Sequence, residues 1–456
     1  MSETLLSVGL DVGTTTTQLV VSRLQVENRA SSLAVPELEI TRREIRYRSP
    51  VYFTPLLDEN RVDGEKIREI VEQEYKKAGI TRQAVDTGAV IVTGETSRKE
   101  NARAVTEALA HLAGDFVVAT AGPELESVLA AKGAGAVEAS LETEKPVLHV
   151  DSGGGTSNFC LIRGGKILDT GCFNVGGRLI RFRPDGVITS VSPVLRGGTR
   201  LQNGDWLTRE QAEQLCRELT EVLEMAAGLR QPEPRLESFL TKEGKALSPA
   251  LLTEPMVLSF SGGVADCIGS DPPWKEYGDL GPTLGRCIRE SRLCAGEYRL
   301  GAETIRATVI GAGCHSAQLS GSTVFCQNVT FPLKNLPVVE ISEVSAEEIR
   351  RALSRQEGAA VLAWKGLKSP DYPQVAAWAV EIASGLGEHP AYLCLEEDMA
   401  KALGQALALK LGRKAEILCI DRVKPGPESY LDVASPVGPA LPVVVKTLIL
   451  GKEGCT

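Results

Sequence analysis

The sequence predicts an α/β protein whose two similar halves face each other across a cleft. Two observations lead to this prediction. Short apolar runs with strand character alternate with helical patterns along the chain. One hairpin-turn pattern also occurs twice, as DVGTTTTQLVV at residues 11–21 and as DSGGGTSNFCLI at residues 151–162. Because each copy opens a block of sequence, the repeat indicates two domains of related fold.

Composition excludes several classes of function. The chain has 456 residues, 43% of them apolar and 24% charged, and its formal net charge of −9 argues against non-specific binding to nucleic acid or an anionic membrane. The apolar run at 439–450 is too short for a membrane span. The N-terminus has no signal-peptide pattern. Eleven cysteines without a C-x-x-C pair favour reduced thiols in the cytoplasm rather than a zinc site or disulfides.

Hydrophobic periodicity predicts the individual elements in order. The expected strands are residues 5–12, 89–94, 115–122, 146–151, 158–173 and 256–263. The expected helices are residues 64–78, 98–113, 123–134, 208–227, 374–386 and 398–412. Within the fifth strand region, two apolar arms around Gly164-Gly165 predict a hairpin, and residues 41–49 alternate as a half-exposed strand does.

Composition shifts divide the chain into three units. The polar, proline-ended stretch SLETEKP at 140–146 separates the first two apolar blocks, so we expect one half at 1–144 and the other at 145–330. A further α/β segment covers 331–456. Its two helical patterns are amphipathic and are expected to pack on a sheet.

The two hairpin copies share the pattern D-x-G-x-x-T-x-[QN]-apolar. The matched pairs are Asp11 with Asp151, Gly13 with Gly153, Thr16 with Thr156, and Gln18 with Asn158. On this alignment Thr14 and Thr15 occupy the turn positions of Gly154 and Gly155, whereas Thr17 is expected to be a strand residue only.

Such turns are suited to phosphate. Glycines let successive backbone N–H groups point into one concavity, and threonine hydroxyls add donors. A carboxylate beside phosphate needs an intervening cation, and Mg²⁺ keeps its waters while one or two carboxylates and phosphates hold it. Asp11 and Asp151 are therefore predicted to bracket a hydrated Mg²⁺ on a triphosphate. A single turn of this kind is more often a plain capped hairpin, and the duplication is what favours a nucleotide site.

The two turns resemble the phosphate-binding loops of the actin, Hsp70 and sugar-kinase superfamily. GPELESVLAAKGAGA (122–136) and RATVIGAGCHSAQLSG (306–321) resemble its two connecting helices, and VLSFSGGVADC (257–267) resembles its adenosine motif. The resemblance implies an actin-like ATPase fold with two ribonuclease-H-like halves, and ATP with Mg²⁺ as cofactors. It implies nucleotide contacts at Gly262, Gly263 and Gly311.

The whole chain is similar to the reactivating factors of ethanolamine ammonia-lyase, in stretches such as VIVTGETSRKENA (90–102) and HVDSGGGTSNFCLIRGGKILDT (149–170). This resemblance implies a chaperone that uses ATP to release damaged cobalamin from the ammonia-lyase so that intact adenosylcobalamin can enter. It implies the ammonia-lyase as partner and a cytoplasmic location, with a bacterial microcompartment as its setting. Whether the chain is a homodimer, and whether it contacts cobalamin itself, stay open.

Hydrolysis of ATP requires a group that orients the attacking water. Glu124, at the start of the first connecting helix, matches the acidic residue at that place in Hsp70-like chains and is our first candidate. Glu126 and Glu95 are the alternatives. Carboxylates also favour helix N-termini for reasons of charge alone, so this role rests on the resemblance.

Two other functions suit the same fold. A small-molecule kinase would need a carboxylate base near an acceptor hydroxyl, and no substrate loop that supplies one is evident. An actin-like filament protein would polymerise with nucleotide. The segment 331–456, which generic superfamily members lack, is a candidate surface for docking the partner enzyme.

Overall fold

The computed structural model describes residues 3–13, 16–28, 38–58, 61–92, 109, 118–120, 123–195, 198–242, 244–315, 317–319, 324–354, 356, 358–425, 429–433, 436 and 441–447. The predicted helix at 98–113 lies outside these residues except at 109. Thr14, Thr15 and Glu95 also lie outside them.

The first half is built on one sheet. Its elements are β1 Glu3–Val12, β2 Thr16–Asn28, β3 Leu38–Arg48, β4 Tyr52–Phe53, β5 Leu56–Asp58, β6 Arg61–Val62, helix α1 Gly64–Ala78, β7 Thr87–Val92 and β8 Val118–Thr120. The sheet order is β3-β2-β1-β7-β8, with β4 paired to β2. Strands β1, β2 and β3 are antiparallel neighbours, whereas β7 and β8 run parallel to β1.

The second half is built on a sheet with the same strand arrangement. Its elements are α2 Pro123–Gly133, α3 Ala136–Ala139, β9 Val147–Ser152, β10 Ser157–Arg163, β11 Lys166–Phe173, β12 Ile180–Phe182, β13 Ile188–Val191, α4 Arg209–Ala226, α5 Arg235–Ser238, β14 Val257–Ser261, α6 Gly263–Ser270, α7 Gly281–Arg289, β15 Tyr298–Leu300 and α8 Ala307–His315.

The order of the second sheet is β11-β10-β9-β14-β15, again with three antiparallel strands followed by two parallel ones. The predicted α/β class and the two similar halves are thus confirmed by sheet topology. The predicted hairpin at Gly164-Gly165 is confirmed as well, since both glycines have positive φ, 54° and 77°. The short pair β12 and β13 was not expected from the sequence.

Each half has its own apolar core. In the second half Phe159 and Phe173 are fully buried and meet edge to face, with ring centroids 5.5 Å apart. In the first half Ile67 and Val71 of α1 belong to the same buried cluster as Val8 and Leu10 of β1. Helix α1 begins where the Asp63 carboxylate accepts the Lys66 N–H group, as an N-cap residue does.

Two helices connect the halves: α2 precedes the second sheet in the sequence and packs on it, whereas α8 follows the second sheet and packs on the first. Helix α2 lies against β9, β10 and β11, whereas α8 lies against β1, β2 and β7. They cross in close contact: a Cβ on Gly133 would lie 1.8 Å from the Ala307 carbonyl oxygen, and one on Gly311 would lie 1.9 Å from that of Leu129. Glycine is required at both positions because backbone occupies the side-chain space.

The C-terminal region forms a third sheet. Its elements are β16 Ala317–Leu319, β17 Phe325–Gln327, β18 Leu333–Glu340, α9 Ala346–Leu353, β19 Val361–Trp364, α10 Tyr372–Gly385, β20 Ala391–Leu395, α11 Ala400–Leu411, β21 Ile417–Asp421, β22 Ser429–Val433 and β23 Pro442–Thr447. The order is β16-β23-β22-β18-β19-β20-β21-β17. The third sheet therefore begins before the boundary expected at residue 331, because its strands β16 and β17 precede that residue.

The central strands β18 to β21 are parallel, and their residues alternate between two cores. Leu362 and Leu393 face α9, α10 and α11, whereas Val361 and Tyr392 join the core on the opposite face with β22 and β23. The predicted packing of the two amphipathic helices on a sheet is confirmed.

Candidate functional site: the paired hairpin turns

The two hairpin turns close with the same hydrogen bond. The Gly13 N–H donates to the Thr16 carbonyl oxygen at 2.9 Å, and the Gly153 N–H donates to that of Thr156 at 2.9 Å. The cross-strand partners also correspond, because Asp11 lies opposite Gln18, as Asp151 lies opposite Asn158. The sequence repeat is therefore a structural repeat, placed at the same end of the same strands in both sheets.

Both repeat aspartates are buried at the ends of their strands. Asp11 is 9% exposed and Asp151 6% exposed. The described turn residues are more open, since Gly13 and Thr16 in the first turn and Gly153, Gly154, Gly155 and Thr156 in the second are half-buried. The second turn thus presents backbone near a recessed carboxylate, which is the arrangement expected where a cation lies between carboxylate and phosphate.

The amide side chains of the repeat carry unpartnered oxygens. Gln18 and Asn158 are 2% and 1% exposed, yet Gln18 Oε1 and Asn158 Oδ1 have no hydrogen-bond partner in the described part of the chain. Buried polar atoms are normally paired. Each oxygen belongs to the residue across from a repeat aspartate, so carboxylate and amide oxygens converge at both turns. Such an all-oxygen donor set fits a hydrated Mg²⁺.

Gln18 also ties the first turn to the other half. Its Nε2 donates to the Ile305 carbonyl oxygen at 3.0 Å, just before helix α8 begins. The position of this amide therefore depends on how the two halves are set relative to each other.

Asp151 ends a buried polar chain. Its Oδ1 accepts the Ser261 hydroxyl, and Nε2 and Nδ1 of His149 lie 2.9 and 3.0 Å from the Oγ atoms of Ser261 and Ser259. Since Ser261 donates to the carboxylate, its oxygen is free to accept from His149 Nε2–H. Burial lowers the pKa of His149 to about 3, so the imidazole is neutral. Burial also raises the pKa of Asp151 to about 6, and the Ser261 hydrogen bond lowers it in part.

The residue directly after β4, Thr54, supports the first turn through its hydroxyl. The Thr54 hydroxyl donates to the Gly13 carbonyl oxygen at 2.7 Å and lies 3.1 Å from the Thr17 hydroxyl. The expectation that Thr17 is a strand residue only was thus incomplete, because its buried hydroxyl supports the turn.

The predicted adenosine glycines follow β14. Gly262 has φ of 86°, and a Cβ there would lie 2.2 Å from the Ser152 carbonyl oxygen. This glycine therefore lets the chain pass directly beside the end of β9, which leads into the second turn. Gly263 begins α6, and a Cβ there would meet only Ile305, at 3.7 Å.

Gly311 lies elsewhere. It is a residue of α8, and the crossing with α2 at Leu129 accounts for it. The crossing alone requires glycine at this position, and the nucleotide contact expected at Gly311 stays a prediction.

The water-orienting candidates lie at the start of α2. Glu124 is exposed, and its Oε1 is 3.8 Å from Lys245 Nζ, which itself pairs with Asp169 at 2.8 Å. Glu126, two residues on, is half-buried.

Sequence reasoning missed a second glycine pair at this site. The Gly177 N–H donates to the Gly153 carbonyl oxygen at 3.0 Å, and the Arg178 N–H donates to that of Gly154 at 2.6 Å. A Cβ on Gly176 would lie 2.5 Å from the Gly154 oxygen. The letters VGGR at 175–178, directly after a hairpin, are a signal that could have found this segment. Phe53, over whose ring Arg178 lies, has no such signal.

The family described as "Ethanolamine utilisation protein EutA" matches residues 3–451. This chain belongs to the EutA family. Two relatives, from Salmonella typhimurium strain LT2 and Escherichia coli strain K12, each carry the name "Ethanolamine ammonia-lyase reactivase EutA". Each is 38% identical to this chain, and each match covers 97% of this chain and 98% of the relative.

Solved structures also resemble the chain, at lower similarity. A Ppx/GppA family member from Aquifex aeolicus is 17% identical, with a TM-score of 0.37, over 68% of this chain and 88% of its own. The ethanolamine utilization protein EutJ from Carboxydothermus hydrogenoformans is 16% identical, with a TM-score of 0.33, over 68% and 89%. The assignment to the EutA family rests on the sequence match, and the fold on the two sheet orders.

Among the described residues, no group of three or more histidine, cysteine, aspartate or glutamate side chains could hold a metal ion. The pair of turns offers a different arrangement, with one carboxylate from each half. No helix within the same residues is both long and apolar enough to cross a membrane.

Proposed function

We propose that this protein is an ATP-dependent reactivating factor for ethanolamine ammonia-lyase, which promotes release of damaged cobalamin so that intact adenosylcobalamin can enter. The observation that carries the proposal is the pair of identical turn closures, one in each half, in a chain 38% identical to proteins named as reactivases of that enzyme.

The residues present suit Mg-ATP. Asp11 and Asp151 would hold the hydrated metal, with the amide oxygens of Gln18 and Asn158 accepting hydrogen bonds from its waters. The Gly154 and Gly155 N–H groups would donate to phosphate oxygens, since the Gly13 and Gly153 N–H groups close their own turns. The Gly262-Gly263 turn would lie beside the nucleoside. Bound Mg-ATP supplies a phosphoanhydride bond whose hydrolysis provides the free energy for a conformational cycle.

The chain's own part is to couple the site to domain movement. Gln18 holds the Ile305 carbonyl just before α8, and α8 crosses α2 in glycine-to-backbone contact. A change at the first turn is therefore transmitted directly to the helices that connect the halves. Closure and opening about such a hinge is how the protein would act on the ammonia-lyase.

A reactivation assay tests the proposal. Ethanolamine ammonia-lyase that has been inactivated during turnover is incubated with this protein, ATP, Mg²⁺ and adenosylcobalamin, and recovered activity is followed. Asp11→Ala and Asp151→Ala should each abolish recovery. The matched control is Asp58→Ala, because Asp58 is exposed and pairs with Arg61 on the surface. Full recovery with both site variants would overturn the paired-turn site.

The same preparation separates the two other functions. ADP formation that depends on an added small-molecule acceptor would identify a kinase. Nucleotide-dependent light scattering by the protein alone would identify a filament former. ATP-dependent recovery without either supports the reactivating role.

We further propose that the C-terminal sheet region docks the ammonia-lyase. The support is the exposure of large apolar side chains on its adjacent helices, namely Tyr372 and Val380 on α10 and Leu409 on α11. Leu409→Glu should weaken capture of the ammonia-lyase and leave nucleotide binding unchanged. Unaltered capture by this variant would remove the docking assignment and leave the nucleotide site untouched.

A further inference from the structure

Arg178 joins the two repeated turns. Its backbone N–H donates to the carbonyl oxygen of Gly154 in the second turn, at 2.6 Å. Its guanidinium lies over the ring of Phe53, with Cζ 5.3 Å from the ring centroid. Phe53 belongs to β4 and lies opposite Thr16, the residue that closes the first turn. Arg178 therefore bonds to the second turn and places its positive charge over a residue that pairs with the first.

A buried carboxylate holds this guanidinium in place. Arg178 Nε donates to Asp279 Oδ2 at 3.0 Å, and the two side chains are 21% and 7% exposed. Asp279 is itself fixed, because its Oδ1 accepts the Gly281 N–H at 2.8 Å, where α7 begins. Removing Asp279 from water is unfavourable unless the carboxylate is paired, so the pair orients the arginine and limits its freedom.

This anchoring leaves the outer edge of the guanidinium available. Among the described residues, Arg178 donates through Nε alone, to Asp279, and its two Nη groups have no hydrogen-bond partner there. Their contact is with the Phe53 ring, which is 75% exposed. A cation over an exposed ring is held more weakly than a guanidinium that donates two charge-assisted hydrogen bonds to phosphate.

We propose that Arg178 is a phosphate-binding residue that distinguishes a nucleoside triphosphate from a diphosphate. This inference rests on the proposed nucleotide site. The guanidinium leaves the Phe53 ring when the terminal phosphate lies between the turns, and its Nη groups donate to that phosphate while Nε stays on Asp279. We place the terminal phosphate there because the Arg178 N–H is bonded to the second turn, while its guanidinium lies over Phe53, which pairs with the closing residue of the first.

Nucleotide affinity measured by calorimetry on the full-length protein with Mg²⁺ tests this assignment. Arg178→Met should weaken ATP binding about tenfold or more and change ADP binding less than about twofold, as expected for loss of charge-assisted hydrogen bonds to one phosphate. Arg178→Lys should lie between, since lysine is a point charge without the two-pronged geometry. Arg181→Met, an exposed arginine on neighbouring β12, is the matched control and should alter neither affinity.

Two further variants protect the test from a folding defect. Arg178→Lys keeps a positive charge for Asp279, so a selective loss of ATP affinity in this variant supports the assignment even if the methionine variant is unstable. Phe53→Leu removes the competing ring and should leave ATP binding equal or tighter. ATP and ADP affinities that fall equally, or do not fall, in the Arg178 variants would overturn the assignment while the nucleotide site stands. Wild-type protein that binds neither nucleotide would overturn both proposals.

Discussion

The crossing of α2 and α8 gives the sharpest prediction about stability. Gly311→Ala places a methyl group 1.9 Å from the Leu129 carbonyl oxygen, whereas ordinary contacts begin at 3.4 Å. The obstructing atom is backbone, so no side-chain rotation relieves the clash. The two helices must move apart by about 1.5 Å, an overpacking change that typically costs about 1–3 kcal/mol.

Part of that cost is offset locally. Alanine is favoured over glycine inside a helix by about 1 kcal/mol, so a net loss shows that packing outweighs helix propensity. For a chain of this size we expect a fall of a few °C in the first thermal transition. Because Gln18 reaches the segment just before α8, the same variant should also weaken nucleotide binding.

Differential scanning calorimetry with and without Mg-ATP measures both effects. Gly296→Ala is the matched control, since that glycine lies in a loop, has no other atom within 4 Å of an added Cβ, and should be neutral or slightly stabilising. A Gly311→Ala protein as stable as the wild type would refute the close helix crossing and the hinge built on it.

Three further predictions concern the two turns and the start of α2. Glu124→Gln should slow ATP hydrolysis at least tenfold with ATP affinity within about twofold; if Glu126→Gln does this instead, the assignment moves to that residue. Burial raises the pKa of the Asp151 carboxyl from 3.8 to about 6 in the nucleotide-free protein. Between these pH values the folded chain binds more protons than the unfolded chain, so the free energy of unfolding falls as pH rises. Asp151→Asn should remove this pH dependence. A urea-denaturation series from pH 4 to 7 that is the same for both proteins would contradict it. Thr54→Val should lower stability by about 1–3 kcal/mol, because it removes the donor to the Gly13 carbonyl, and a urea midpoint equal to that of wild type would refute the turn scaffold.

The local pattern of the sequence was sufficient for the α/β class, for the repeated turn and for several helices to within two residues. Helix α1 covers the predicted residues 64–78, and α4 covers Arg209–Ala226 against the expected 208–227. These features depend on periodicity, capping and turn residues close together in sequence. The two turns could likewise be aligned from sequence alone. The spacing of Asp11, Gly13, Thr16 and Gln18 recurs 140 positions later.

Tertiary structure alone decided which distant residues meet. Arg178 lies 125 positions from Phe53 in the sequence, and neither has a periodic pattern that pairs it with the other. The resemblance to a connecting helix predicted small residues around Gly311, and only the folded chain shows that the Leu129 carbonyl oxygen occupies the space beside it. The sequence thus predicted each turn, because the conformation of a turn depends on a few neighbouring residues. The position of one turn relative to the other depends on how α2 and α8 join the two sheets. Contacts between residues far apart in the sequence produce no local sequence pattern.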